Sequence, residues 1–404
     1  MFRYRVTVAA VLGVALVGGL FASASSSSAK TATTAAAKIT PSNLTVADFN
    51  RTFSAMTDLQ GLRKQGKGAV DVILPDTTSS ARYTEFDAPY LKEAFQKAGL
   101  VQYGVQNAQG SDATFLTDAE ADITNGATVL AIDPEDSGTG SQVESYAAAH
   151  GVKVIDYDRL TLGGTRAYYV SFNNVNVGTL LGKGLVSCVA AWKANNPSLA
   201  NPKVIVMRGS PTDNNATLFA QGYLAVLNPL FTSGKWSEVA TPAGTWDPPT
   251  AETEFQQSFT ANTDTNAALI PNDENGAPII QYLQTLGVKP ETFPTTGQDA
   301  TLVGLQNIIS GYQCGTVYKP IYLEAQATAA LSLYLRAGKT PPKSLINGSV
   351  EDTVSNTAVP SVLDTPEWVT PANMEKTIIA DNFVTAAQLC AGQYAADCTK
   401  YKIH

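Results

Sequence analysis

Histidine is almost missing from this 404-residue chain: His150 and the terminal His404 are the only two. A Ser-His-Asp or Cys-His site would have to use His150, and a multi-histidine metal centre has too few ligands. His150 sits in the Ala-rich stretch AAAHGVKV. It reads as the C-terminal residue of a helix, where the helix dipole favours a cationic side chain. Charge is sparse too. Charged residues make up 15% and the net charge is −8, against a usual charged share of ~25%. No Lys/Arg cluster offers to neutralise phosphates, so no nucleic-acid partner is expected. There is no GxxxxGK[ST], no GxGxxG after a strand, no HExxH and no GxSxG. Nucleotide, zinc-protease and serine-hydrolase chemistry lose their usual signatures. No catalytic residue, metal or cofactor is expected.

Long apolar runs are confined to the start. Arg3 and Arg5 precede an apolar stretch, Val6 to Phe21, and Ala22-Ser23-Ala24 then supplies small residues. That order is a secretory signal peptide, assigned to residues 1–29. The stretch is short of the ~20 residues a spanning helix needs, and no Cys follows it to carry a lipid. Export makes the four cysteines a candidate disulfide framework. Cys390 and Cys398 fit a small C-terminal clip. Cys188 and Cys314 either complete the set or remain buried thiols.

A hydrophobic fraction of 44% rules out wholesale disorder, and the length suits two or three domains of ~100–200 residues. Residues 30–66 read as an extension with one helix, about Thr45 to Arg63. After it, short β-branched runs alternate with amphipathic stretches. Strands are expected at 70–76, 101–106, 128–134, 152–158, 167–172, 203–210, 237–243, 267–273, 293–299 and 316–320, with helices between most of them. Continuous apolar strands separated by helices indicate a parallel sheet covered on both faces. The pattern restarts near residue 166, giving two α/β lobes. The last ~65 residues read as irregular, with a short helix near Thr385 to Leu389.

Polar residues recur at the carboxyl ends of these strands: Asp76, Asp133, Asp158-Arg159, Ser210 with Asp213-Asn214-Asn215, Asn272-Asp273, Asp299 and Lys319. In open α/β sheets, ligands bind outside those ends. Each residue alone also suits a helix N-cap; their recurrence in both lobes favours a shared ligand. Asp, Asn, Arg and Lys offer directed hydrogen bonds to hydroxyls. Tyr83 and Trp246, in predicted loops, offer faces that cover the C–H side of a sugar ring. Export and the lack of a basic helix-turn-helix argue against a DNA-binding repressor.

The motifs SSARY (79–83), VQNAQG (105–110), VKVIDYDRL (152–160), YYVSFNNVNVG (168–178), RGSPTDNNATLF (208–219), PNDENGA (271–277), GQDA (297–300) and TVYKP (316–320) carry a resemblance. Over about residues 70–390 the chain resembles the periplasmic sugar-binding proteins of ABC transporters, ribose-binding-like and of the xylose type. The resemblance implies an α/β fold of two Rossmann-like lobes, periplasmic binding protein type 1, joined by three crossovers and closing on one sugar. Lobe 1 would comprise 67–165 plus about 320–345, and lobe 2 166–319 plus about 346–404. By motif, Arg82 and Arg159 would bind hydroxyls from the first lobe, with Asp158 beside them. Asp213, Asn215, Asn272 and Asp299 would do so from the second. Lys319 would act at a crossover, and Trp246 would stack on the sugar. Tyr83 stands where the xylose type commonly has Trp, and Ala81 where an acid is common, which removes one support for Arg82. The implied function is a non-catalytic exported receptor for D-xylose, serving a membrane permease and expected to be monomeric. The alternatives are a receptor for glucose, arabinose or ribose, and a secreted sugar-active enzyme with Asp213 and Asp299 as a carboxylate pair.

Overall fold

The computed structural model describes residues 40–404. The expected signal peptide and the start of the N-terminal extension lie outside them. The chain first builds five strands: β1 (Ala69–Leu74), β2 (Tyr103–Asn107), β3 (Ala127–Ile132), β4 (Lys153–Tyr157) and β5 (Tyr168–Phe172). It then crosses to a second lobe with β6 (Lys203–Val206), β7 (Ser237–Ala240), β8 (Ala267–Leu269), β9 (Gly297–Gln298) and β10 (Thr316–Tyr318). Helix Ile321–Arg336 returns to the first lobe, where β11 (Gly348–Asp352) and β12 (Thr357–Asp364) follow. A last strand, β13 (Glu367–Val369), pairs antiparallel with β10. Three crossovers result, near residues 173, 319–320 and 365–366, and the fold is the expected periplasmic binding protein type 1.

The first sheet runs β11-β12-β5-β4-β3-β1-β2. All its pairs are parallel except the β11–β12 hairpin. The second lobe holds β7-β6-β8 and β13-β10-β9, linked by a backbone bond from Ala268 N to Pro294 O. Strands such as VILP and VLAI are apolar throughout because helices cover both faces.

Three expectations need correcting. The boundaries near 165 and 345 fall too early, since β5, β11 and β12 all belong to the first sheet. The stretch 348–364, expected as irregular, is that hairpin. Pro360 sits where β12 pairs only with β11; the part paired with β5, Ser361–Asp364, keeps every N–H. The single N-terminal helix is instead a 3₁₀ turn and two short helices, Ser54–Asp58 and Gln60–Arg63.

The extension is integral to the first lobe. Leu44, Phe53, Met56 and Leu59 are fully buried. Gln326 Nε2 donates to Asn50 O, Arg336 Nη1 to Arg63 O and Ser344 Oγ to Leu44 O. In the second lobe, helices Asn174–Trp192 and Asn214–Thr232 meet at close range. A Cβ on Gly178 would lie 2.0 Å from Phe219 O, and one on Gly222 2.1 Å from Val175 O. Both disulfides form, Cys188–Cys314 and Cys390–Cys398. The tail touches the first lobe as well: Phe383 stacks on Phe86 with ring centroids 3.8 Å apart.

Candidate functional site

Between the lobes lies a small cavity lined by Arg82, Tyr83, Asp158, Arg159, Asp213, Asn215, Trp246, Asn272, Asp299 and Lys319. Every residue that the resemblance assigns to the sugar is among its walls; the strand-end residues Asp76, Asp133, Ser210, Asn214 and Asp273 are not. Ser79, Ser80, Phe219 and Gln298 complete the lining. Sequence reasoning did not single these four out, although each falls within a quoted motif. Asp76 and Ser210 face a wider outer cleft instead. His150 caps helix Ser137–Ala149, exposed, with its Nδ1 against Tyr146 O.

The lobes are closed on each other. Ser80 Oγ donates to Asp299 Oδ2 at 3.0 Å and Asn272 Nδ2 to Ser79 O at 3.1 Å. Asn215 Nδ2 donates to Asp158 O at 2.9 Å. Capping and lining coexist in single residues. Asp213 Oδ1 caps Asn215 N, and its Oδ2 accepts the indole N–H of Trp246 at 2.9 Å. Asn272 Oδ1 caps Asn275 N while its amide group reaches Ser79.

The two arginines differ in how tightly they are held. Arg82 gives Nε and Nη2 to Asp87, Nη2 also to Glu324 and Nη1 to Asp158, at 2.6–2.8 Å. One of its five N–H groups remains. Asp87 and Glu324 thus replace the acid missing at Ala81. Arg159 has only long contacts: 3.4 Å to Pro134 O, 3.5 Å to Ser79 Oγ, and 3.6 Å to both Asp133 and Asp213. Its donors are the ones available to a ligand.

Tyr83 lies between Arg82 and Arg159, 5.4 and 5.6 Å from its ring. Its hydroxyl donates to Asp158 Oδ2 at 2.9 Å. It opens a π-helical turn, Tyr83–Asp87, a distortion often found at functional sites. Burial pushes the Asp158 carboxyl up, but Arg82, Lys319 and Arg159 outweigh it and hold it at about 2. Burial pushes Asp213 up against the pull of Arg159. Asp158 and Asp299 both take left-handed backbone, φ 57° and 88°, strain that the surrounding structure must hold in place. Lys319 Nζ lies 2.8 Å from Asp299 Oδ1. Gln298 Oε1 is buried with no partner among the described residues. The arrangement supplies charged and neutral hydrogen-bonding groups of both polarities around one small space, with aromatic walls. That suits a polyhydroxylated ring.

Comparison with known proteins agrees with this geometry. Residues 70–340 match the family model for the periplasmic binding protein domain. The chain is 34% identical over 288 residues to the D-xylose-binding periplasmic protein of Escherichia coli K12, covering 70% of this chain and 82% of that one. It is 32% identical to a multiple sugar-binding periplasmic receptor of Rhizobium radiobacter, covering 80% and 92%. Among solved structures, it is similar to a carbohydrate transporter solute-binding protein from Chloroflexus aurantiacus in complex with D-glucose. That match has a TM-score of 0.68 and 27% identity, and covers 79% of this chain and 97% of the other. The chain belongs to the periplasmic binding protein family, as an exported, non-enzymatic sugar-binding receptor of ABC transporters.

Proposed function

We propose that this receptor binds D-xylose between its lobes and presents it to an ABC permease. The observation that carries the reading is the makeup of the closed cavity: hydrogen-bonding groups and aromatic walls from both lobes converge on one small space. The likeness to D-xylose-binding proteins supports the choice of sugar. In this reading Arg159 and Lys319 donate to hydroxyls, and Asp158, Asp299 and Gln298 accept from them. Trp246 covers one face of the ring. Arg82 chiefly holds Asp158 in place.

Xylose and glucose share their ring hydroxyl stereochemistry, so these hydrogen bonds do not separate them. Glucose adds a hydroxymethyl group. Phe219, Trp246 and Tyr83 are the aromatic residues of the cavity wall, and in this reading they fill the space that group would need. A group that does not fit keeps the lobes apart and forfeits contacts across the cleft, so discrimination exceeds the ~1–3 kcal/mol of a lone methylene. Calorimetry with xylose, glucose, arabinose and ribose tests this. Equal affinity for glucose would move the assignment to a multiple-sugar receptor, as the Rhizobium relative is named. Binding of none would sink the reading.

A further inference from the structure

One contact across the cleft comes from a residue outside the cavity lining. Glu274 stands in the first turn of helix Asp273–Thr285 in the second lobe. Its Oε1 accepts the backbone N–H of Ala81, in the first lobe, at 2.7 Å. The residue as a whole is only half-buried, but Oε2 is enclosed and has no hydrogen-bond partner among the described residues. The charged groups facing the carboxyl are Asp299 and Asp273, both acids of its own lobe. The first lobe contributes the Ala81 N–H, and no cation is among the groups that chiefly act on the carboxyl. Lys319 is engaged by Asp299.

A carboxylate enclosed beside like charges favours its neutral form. When the lobes part, the same carboxyl returns to water. The helix N-terminus favours the ionised form in both arrangements, so it largely cancels from the difference. We propose that Glu274 is a latch between the lobes, and that closing it on the sugar takes up one proton from solvent. The proton sits on Oε2, leaving Oε1 to accept from Ala81.

The direction of the shift agrees: burial, then Asp299, pushes the closed-state carboxyl well above its ordinary value of 4.5, against the Ala81 hydrogen bond. Below that ordinary value the carboxyl is protonated in both arrangements, and pH has no effect through it. Above it, closure must bind a proton, so affinity falls as pH rises until the closed carboxyl itself ionises. The receptor would thus hold its sugar more tightly in mildly acidic surroundings.

The inference rests on the sugar-receptor reading, and one experiment separates the two. D-xylose, or whichever aldose binds best, is titrated calorimetrically near pH 6.5 in buffers of different ionisation enthalpy. Three proteins are compared: wild type, Glu274→Gln and Glu274→Ala. Wild type should take up a proton, at most one per sugar. Glu274→Gln keeps the acceptor and removes the titration, so it should bind with undiminished affinity and no uptake from this position. Glu274→Ala loses the latch and should bind several-fold to about tenfold more weakly, through faster release. Proton uptake that is absent in wild type or unchanged in Glu274→Gln overturns the coupling. Wild-type affinity in Glu274→Ala overturns the latch. Failure of every aldose to bind all three proteins instead overturns the receptor reading and this role with it.

Discussion

Arg82 Nη1 donates to Asp158 Oδ1 at 2.8 Å from a guanidinium whose other nitrogens already serve Asp87 and Glu324. All four side chains are almost completely buried. A buried charge deprived of its partner is costly, ~3–5 kcal/mol. Arg82→Lys replaces a fork with a single point and leaves carboxylates competing for one ammonium. It is expected to lose about that much stability and to abolish binding. Arg159→Lys should lose less than half as much stability, because Arg159's contacts are 3.4–3.6 Å long. It should nevertheless weaken sugar binding by about one to two decades. Denaturant unfolding paired with calorimetry checks both. Equal stability losses in the two variants would refute the division of labour.

Asp364 makes a prediction about pH. It ends β12 at the third crossover, fully enclosed, with neither carboxyl oxygen partnered among the described residues. Burial pushes its carboxyl from 3.8 up to about 7. Below pH ~4 folded and unfolded chains both hold the proton, and the contribution is intact. Between ~4 and ~7 the unfolded chain releases it first, so stability falls as pH rises, by ~1.4 kcal/mol per unit. Asp364→Asn removes the titration. From pH 5 to pH 8 the wild type should lose on the order of 2–3 kcal/mol more than the variant in urea unfolding. Parallel losses would show that Asp364 is not the group responsible.

Much of the site was legible because strand ends are short-range features. A β-branched run followed by Asp, Asn or Arg marks both the sheet and its carboxyl edge, and Asp158-Arg159, Asn272 and Asp299 were readable that way. Supporting residues were not. Asp87 and Glu324 reach Arg82 from 5 and 242 residues away, and only the folded lobe brings them to one guanidinium. Glu274 reads as an ordinary first-turn acid until the opposite lobe presents Ala81. The hairpin at 348–364 was hidden for a similar reason. Its Ser, Asn, Thr and Pro residues carry turn signals, and β12 is a strand because β5 offers it an edge. The N-terminal segment looked like one helix from its apolar spacing. Packing against helices Ala88–Lys97 and Ile321–Arg336 breaks it into shorter turns, and Phe53 takes a left-handed backbone, φ 56°.

The two disulfides should differ in their contribution. Cys188 and Cys314 are 126 residues apart, Cys390 and Cys398 only 8. Loop-closure entropy of the unfolded chain favours the longer link by about 2.5 kcal/mol. The Cys188→Ala/Cys314→Ala variant should therefore lose ~2–5 kcal/mol, and the Cys390→Ala/Cys398→Ala variant clearly less. Chemical denaturation of the oxidised proteins measures both. The reverse order would show that the short clip holds the tail in a way chain entropy does not describe.

Trp246 and Gly209 give the last prediction. The indole is held at two points: its N–H donates to Asp213 Oδ2 at 2.9 Å, and its ring lies edge-on to Phe219 with centroids 6.4 Å apart. Its six-membered ring lies over Gly209, where a Cβ would come within 2.0 Å of Trp246 Cζ2. No side chain fits there unless the ring moves. Gly209→Ala should thus act at a distance on the ligand: the added methyl displaces the indole, and with it the face proposed to cover the sugar. Affinity should fall by one to two decades, close to the effect of Trp246→Ala, while Gly209→Val should fall no less. The two effects should not add, because both remove one platform. A Gly209→Ala/Trp246→Ala double variant should bind like Trp246→Ala alone. Calorimetry on wild type and these variants decides the matter: additive losses, or Gly209→Ala with wild-type affinity, would mean that the indole is not held against the sugar by the backbone at Gly209.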